Sequence, residues 1–407
     1  MTFKNVVKLG DFVTIKHGYA FPGKFITSQE TKKILVTPGN FNIGGGFKSS
    51  KFKYYSGETY PEQYRFNGGE LIVTMTDLSK ETDTLGYAAL VPNDNNIYLH
   101  NQRVGLVQIL NNDLDKMYLY WKMRTREYQE FIANSASGTS VMHTSPKKIC
   151  EYEFLLPTKL EQKAIASVLS SLDDKIDLLH RQNKTLESMA ETLFRQWFIE
   201  DAQIHWTEKK LSSFGSIICG KTPSKKNSLY FGNDVPFLKI PDMHGKVFVF
   251  KSTDNLSFAG EHSQSKKTIP PGSICVSCIA TVGLVCITDV SMQTNQQINS
   301  IIPNKEYYKY FLYLLMKSMG DELNNLASGG TATLNLNTGD FSNITFLSPS
   351  ENELKIFHQS ISSLFDKLKF NSKQINIIEN LRDTLLPKLM SGEVQVQYVE
   401  EAIASVA

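Results

Sequence analysis

Paired cysteines, long apolar runs and a charge imbalance are all missing from this chain of 407 residues. The longest apolar run, Ser273 to Thr288, is broken by Ser and Thr and is too short to span a bilayer. Five scattered Cys exclude a disulfide framework and fit a reducing compartment. The opening, Met1-Thr-Phe-Lys-Asn5, lacks a signal-peptide pattern. The expectation is a cytoplasmic protein with no membrane partner. A formal net charge of +2 gives no compositional case for nucleic acid. Charged residues at 21% and hydrophobic residues at 41% describe an ordinary soluble protein, long enough for two or more domains.

Catalytic signatures are absent too. The His residues at 17, 100, 143, 180, 205, 244, 262 and 358 form no ligand spacing, so no metal site is expected. Cys275-Val-Ser-Cys278 lies in a strand-like run, where positions three apart point to opposite faces and cannot share a metal. Gly215-Ser-Ile-Ile-Cys-Gly220-Lys221-Thr222 fits the spacing of a phosphate loop. Ile217-Ile218 sits where that loop must turn, however, and Pro223 where its helix must begin. Neither an acceptor motif nor a Gly-rich cofactor loop of a methyltransferase occurs, and the chain reads as non-catalytic.

What is present is a pair of long helical stripes. Ile165, Leu169, Leu172, Ile176, Leu179, Asn183, Leu186, Ala190, Leu193 and Trp197 recur in a 4-3 rhythm, interrupted by one polar residue. No Pro or Gly falls between Thr158 and Phe198, and Thr158 with Glu161 forms a capping box. Such a helix is about 60 Å long and needs a partner for its narrow apolar face. A shift of 192 residues carries Pro157 to Pro349, Thr158 to Ser350 and Glu161 to Glu353. The stripe becomes Phe357, Ile361, Leu364, Leu368, Asn371, Ile375, Ile378, Arg382, Leu385 and Leu389. If the two helices run antiparallel, Ile165 faces Leu389 and Asn183 faces Asn371, so each core amide meets the other. In a parallel pair each Asn would face an apolar residue. Asn183 and Asn371 are therefore the candidate register residues, because misalignment would bury an unpaired amide.

What precedes each helix also recurs, at the same shift next to the helix and at a longer one further upstream. Lys8-Leu9 and Phe12 answer Lys210-Leu211 and Phe214, Gly69-Glu-Leu-Ile-Val-Thr answers Gly272-Ser-Ile-Cys-Val-Ser, and Phe154 answers Phe346. Strands are expected at Ile34-Leu35-Val36, Leu71-Ile72-Val73 and Val104 to Ile109, and helices near Lys116 to Ala133 and Tyr307 to Leu326. A duplicated α+β unit followed by a long helix is the simplest account. The parts are residues 1–156, a helix at 157–200, a linker and second globular part at 201–348, a helix at 349–392 and a tail at 393–407.

Polar, Gly-rich surface recurs at matching places. In the first unit it comprises Lys48, Lys51 and Lys53, then Thr74, Thr76 and Asp77, then Asn101, Gln102 and Arg103, then Thr139. In the second it comprises Lys221, Thr222, Ser224 and Lys225, then Asn295 and Gln296, then Thr331. Cations and amides suit base edges, and Gly-rich turns bring backbone N–H groups to phosphates. Ordinary polar loops, with Asn101 and Asn295 holding structure, are the competing reading of these residues.

Taken together the chain resembles the specificity subunits of type I restriction–modification systems. The resemblance rests on Leu156-Pro157 with Glu161-Gln162, Gly220-Lys-Thr-Pro-Ser224, Leu71-Ile-Val-Thr-Met-Thr-Asp77, His100-Asn-Gln-Arg103, and Leu385-Leu-Pro-Lys-Leu-Met-Ser-Gly-Glu393. The first unit departs from the family's Gly-x-Thr-Pro opening, having Gly18-Tyr-Ala-Phe-Pro22. The resemblance implies two target recognition domains on double-stranded DNA, each reading half of a split sequence, separated by an antiparallel coiled coil. It also implies two methyltransferase subunits and restriction (translocase) subunits as partners. S-adenosylmethionine, ATP and Mg would then sit on those partners and no cofactor on this chain. A duplicated protein-interaction scaffold and a nucleotide-driven enzyme using Lys221 are the alternatives.

Overall fold

The computed structural model describes residues 5–77, 83–138, 141–328 and 334–396. It divides into two compact units, Met1–Ile176 with Ile378–Ala407, and Asp177–Ile377. Each unit therefore holds a mixed α/β part and one portion of each long helix.

In the first unit Leu71–Thr74 lies between Val104–Ile109 and Ala88–Leu90 in a four-stranded antiparallel sheet completed by Val13–His17. This strand is buried on both faces, which is why it reads as a continuous apolar run. Leu71 and Val73 pack with Trp121 and Leu119, whereas Ile72 packs with Ile34 and Val36 of a second sheet. That second sheet, Ile26–Thr27, Lys53–Tyr55, Lys33–Val36 and Ile97–His100, ends in a parallel pair. The second unit repeats the plan. Ile274–Ser277 lies between Ile298–Pro303 and Val285–Thr288, with Gly215–Cys219 in the place of Val13–His17. Ile274 and Val276 face the core that contains Phe311, and Cys275 faces the opposite one with Cys286. Cys278 joins the Phe311 side, so Cys275 and Cys278 are on different faces of the sheet.

Two expected helices are each broken. Residues near 116–133 form Lys116–Lys122 and Arg126–Asn134, because Thr125 caps the second segment by accepting the Tyr128 N–H at 3.3 Å. Its hydroxyl also donates to the Lys122 carbonyl at 2.8 Å, closing off the first segment. The stretch near 307–326 likewise divides into Lys309–Ser318 and Gly320–Ala327.

The first long helix spans Lys159–Arg195 and closes in one wider turn, Gln196–Glu200; the second spans Glu351–Ser391. Both capping boxes are formed: Glu161 accepts from the Thr158 N–H at 3.0 Å, and Glu353 from the Ser350 N–H at 2.7 Å. Within the first unit Ile165 and Leu169 share a core with Leu389 and Met390, and Asp173 accepts from Arg382. Within the second, Asn183 accepts from Asn371, and Trp197 lies 5.5 Å from Phe357 between ring centroids. In both units partners fall in number on one helix as they rise on the other. The pair is an antiparallel coiled coil. Phe357, fully enclosed among Phe194, Trp197 and Phe198, anchors the aromatic end, and burial of such a ring is worth about 2–3 kcal/mol.

Candidate nucleic-acid interface

In the first unit three of the polar segments singled out in the sequence converge through backbone hydrogen bonds. The Tyr19 N–H donates to the His100 carbonyl at 2.8 Å, and the Gln102 N–H to the Tyr19 carbonyl at 3.1 Å. The Met75 N–H donates to Arg103 at 3.0 Å, and the Thr144 N–H to Met75 at 3.0 Å. His143 and Ser137 exchange bonds at 2.8 and 3.0 Å, which draws the third segment in. The second unit uses the same arrangement. The Lys221 N–H donates to Thr294 at 2.9 Å, the Cys278 N–H to Gln297 at 2.8 Å, and the Leu336 N–H to Cys278 at 2.9 Å.

Exposure sorts these candidates into two groups. Gln102, Arg103, Lys221, Ser224, Lys225 and Gln296 are exposed, Thr222 half so, and the Thr222 hydroxyl donates to the Gln296 side chain at 2.7 Å. Thr74, Thr76, Asp77 and Asn295 are buried, and this corrects their reading as surface contacts. The Thr74 hydroxyl donates to Thr84 at 2.5 Å, and Thr76 bonds His143 Nδ1 at 3.1 Å. Asp77 accepts from the Thr84 N–H and hydroxyl at 2.6 and 2.7 Å. Asn295 closes its own turn by accepting from the Gln297 N–H at 3.2 Å, and Asn101, half-buried, does so from Arg103 at 3.0 Å. A buried polar atom whose hydrogen bonds are made within the chain shapes a loop and leaves recognition to its neighbours. Lys48, Lys51 and Lys53 are exposed on the hairpin that links Lys33–Val36 to Lys53–Tyr55, in the sheet that also holds Ile97–His100. Thr139 and Thr331 lie outside the described residues.

One constraint is common to both units. A Cβ on Gly18 would lie 2.2 Å from the Asn101 carbonyl oxygen, and one on Gly220 would lie 2.1 Å from that of Asn295. Despite their different following residues, the two openings make the same close approach. Gly215–Cys219 is a strand in full register with Ile298–Pro303, and Pro223 follows in a non-helical segment. No phosphate-binding turn forms around Lys221.

Two supports were not evident from sequence. Gln264, buried, donates to the Lys221 carbonyl at 2.6 Å and to Gln293 at 2.8 Å, and Gln293 in turn donates to Thr268 at 2.9 Å. His100 is buried beneath the first site, its ring 4.4 Å from that of Phe66, with Nε2 donating to the Val104 carbonyl at 2.8 Å. Burial pushes its pKa down to about 4, with Lys16 and His17 adding to the effect and the Val104 bond opposing it. Unfolded His titrates near 6.5, so below that pH the unfolded chain takes up a proton that the folded one refuses. This contribution to stability is complete above about pH 6.5 and falls by about 2 kcal/mol by pH 5. Urea midpoints at pH 7 and pH 5 should therefore separate more for the wild-type chain than for His100→Gln. Equal separation would remove His100 as the cause.

The family model described as "Type I restriction modification DNA specificity domain" matches residues 2–188 and 203–380, one match for each repeat. The chain belongs to this family. It is 40% identical over 344 residues to the type I restriction enzyme HindI specificity subunit of Haemophilus influenzae, covering 66% of this chain and 75% of that one. It is 27% identical over 338 residues to the MjaIX specificity subunit of Methanocaldococcus jannaschii, covering 77% and 76%. In fold it is similar to the crystal structure of the type I restriction–modification S subunit from M. genitalium, with a TM-score of 0.58, 17% identity and coverage of 95% and 96%. As a type I specificity subunit the chain is a non-catalytic member of its system, with one recognition domain in each repeat.

Proposed function

We propose that the exposed edge formed by the convergent segments of each unit reads one half of a bipartite double-stranded DNA target. The observation that carries this reading is the repetition itself. The same strand, Gly and Asn-Gln turn recur twice in one chain and carry different exposed neighbours: Arg103 in one case, Lys221 and Lys225 in the other. Such a frame would hold two readers of different sequence in one geometry, with cations on phosphates and amides on base edges. The helix pair would set the gap between the halves and dock two methyltransferase subunits, which bind S-adenosylmethionine. Restriction subunits would bring ATP and Mg. Partner subunits would also supply part of the phosphate neutralisation, in keeping with the near-neutral charge of this chain. The working boundaries are residues 1–156 and 201–348 for the readers, 157–200 and 349–392 for the helices, and the setting is the cytoplasm.

The test is methylation mapping in a host carrying the partner genes. The expected result is a split target. Exchange of residues 1–156 for those of a relative with a different target should change one half and preserve the other half and the gap. A target unaltered by the exchange would overturn the assignment and favour a protein-interaction scaffold.

A further inference from the structure

The hairpin that precedes Lys48, Lys51 and Lys53 turns on three successive glycines, Gly44, Gly45 and Gly46, with φ of 84°, 86° and 91°. Left-handed backbone at three consecutive positions is open to Gly at little cost and confers little stiffness of its own. The hairpin is held from outside by the Gly46 N–H, which donates to the Ala88 carbonyl at 2.8 Å, and by Arg124. This side chain is buried where the two short helices of the first unit meet, its guanidinium 4.3 Å from the centroid of the Trp121 ring. Its Nε donates to the Gly44 carbonyl at 3.0 Å, while Nη1 donates to the Tyr120 hydroxyl at 2.6 Å and to Asp173 at 2.7 Å. Asp173 belongs to the first long helix, and its other oxygen accepts from Arg382 of the second at 2.5 Å. One planar cation thus joins the glycine hairpin to the first long helix, and Asp173 carries the link on to Arg382 of the second within the same unit.

The geometry points to Arg124 as a positioning residue that fixes where the hairpin bearing Lys48, Lys51 and Lys53 meets the DNA, relative to the helix pair. This rests on the DNA-reading function proposed above. Gly45 is the complementary half of the device, since a Cβ there would lie 2.5 Å from Arg124 Cγ. The planar guanidinium presents its donors to the carbonyl and the carboxylate in one fixed geometry, which a Lys ammonium on its flexible stem does not reproduce.

The test uses the full chain assembled with its methyltransferase subunits. Binding is measured on duplexes carrying the mapped target and on duplexes with single base-pair changes in either half. Arg124→Lys, which keeps the charge beside Asp173, should lower discrimination in the half read by the first unit about tenfold and leave the other half unchanged. Gly45→Ala perturbs the same contact from the hairpin side and should give the same one-sided loss, which keeps the test available if Arg124→Lys does not fold. Wild-type discrimination in both halves would overturn the inference while leaving the proposed function intact. Equal weakening in both halves, alongside a lower melting temperature, would reduce Arg124 to a stabilising residue and also overturn it. A wild-type complex that binds all duplexes alike would instead overturn the DNA-reading function.

Discussion

Gly220→Ala is expected to abolish reading of one half of the target while the other half is still read. The added Cβ would meet the Asn295 carbonyl oxygen at 2.1 Å and that of Thr294 at 2.4 Å, and neither is the end of a movable side chain. The strand end must lift away from the turn. That movement breaks the bond from the Gly220 N–H to Ile298 at 3.0 Å and the bond from Lys221 to Thr294 at 2.9 Å. Two lost backbone bonds and the forced repacking together cost about 3 kcal/mol, enough to separate Lys221 and Thr222 from Gln296. Affinity for duplexes intact only in the second unit's half should fall about a hundredfold, the equivalent of that energy. Gly18→Ala, with its Cβ 2.2 Å from Asn101, should produce the mirror result in the other half. A Gly220→Ala complex that discriminates normally in both halves would show that the close approach does not shape the reading edge.

These glycines show what can be read from the chain alone and what cannot. The stripes, the capping boxes and the amide pair are legible because they depend on spacings of three and four residues and on one complementarity. The strand at Leu71 is legible as an apolar run, but that run does not show that Thr74, Thr76 and Asp77 continue into the interior. Polar residues at a strand end look alike in sequence whether they meet water or a neighbouring loop. The same ambiguity covers Asn295. By sequence Gly18 and Gly220 read as opening different loops, since a Tyr follows one and a Lys the other. Their common constraint lies in a carbonyl many residues away, which no local pattern reveals. Arg382 reads as a member of the second stripe with no partner. Its role requires Asp173, which lies off the first stripe and comes within reach only when the helices pair. Burial alone would lower the Arg382 pKa, but hydrogen bonds to Asp383 and Asp173 raise it, so the cation is retained inside the coil.

The other polar position in the coil carries the second large effect. Asn371 is fully enclosed, and its Nδ2 donates to Asn183 Oδ1 at 3.0 Å and to Gln182 at 3.4 Å. Asn183 Nδ2 donates in turn to Ser372 at 3.3 Å, while Asn371 Oδ1 is buried without a hydrogen-bond partner. The pair is thus only partly satisfied, and a coil with Leu at both positions should be at least as stable. Asn183→Leu alone removes the best acceptor of an enclosed amide and is expected to cost about 2–3 kcal/mol, read as a lower urea midpoint at unchanged slope. Asn183→Leu with Asn371→Leu should recover that loss, a coupling that a double-mutant cycle would register. Recovery would carry its own cost in register. Leu at both positions no longer penalises a slip of one heptad, whereas the native amide does so by meeting an apolar side chain, Ile176 for a slip in one direction and Ala190 in the other. If Asn183→Leu proves neutral or stabilising by itself, the amide bond contributes nothing net. Register would then rest on the Asp173–Arg382 pair and the aromatic end around Phe357.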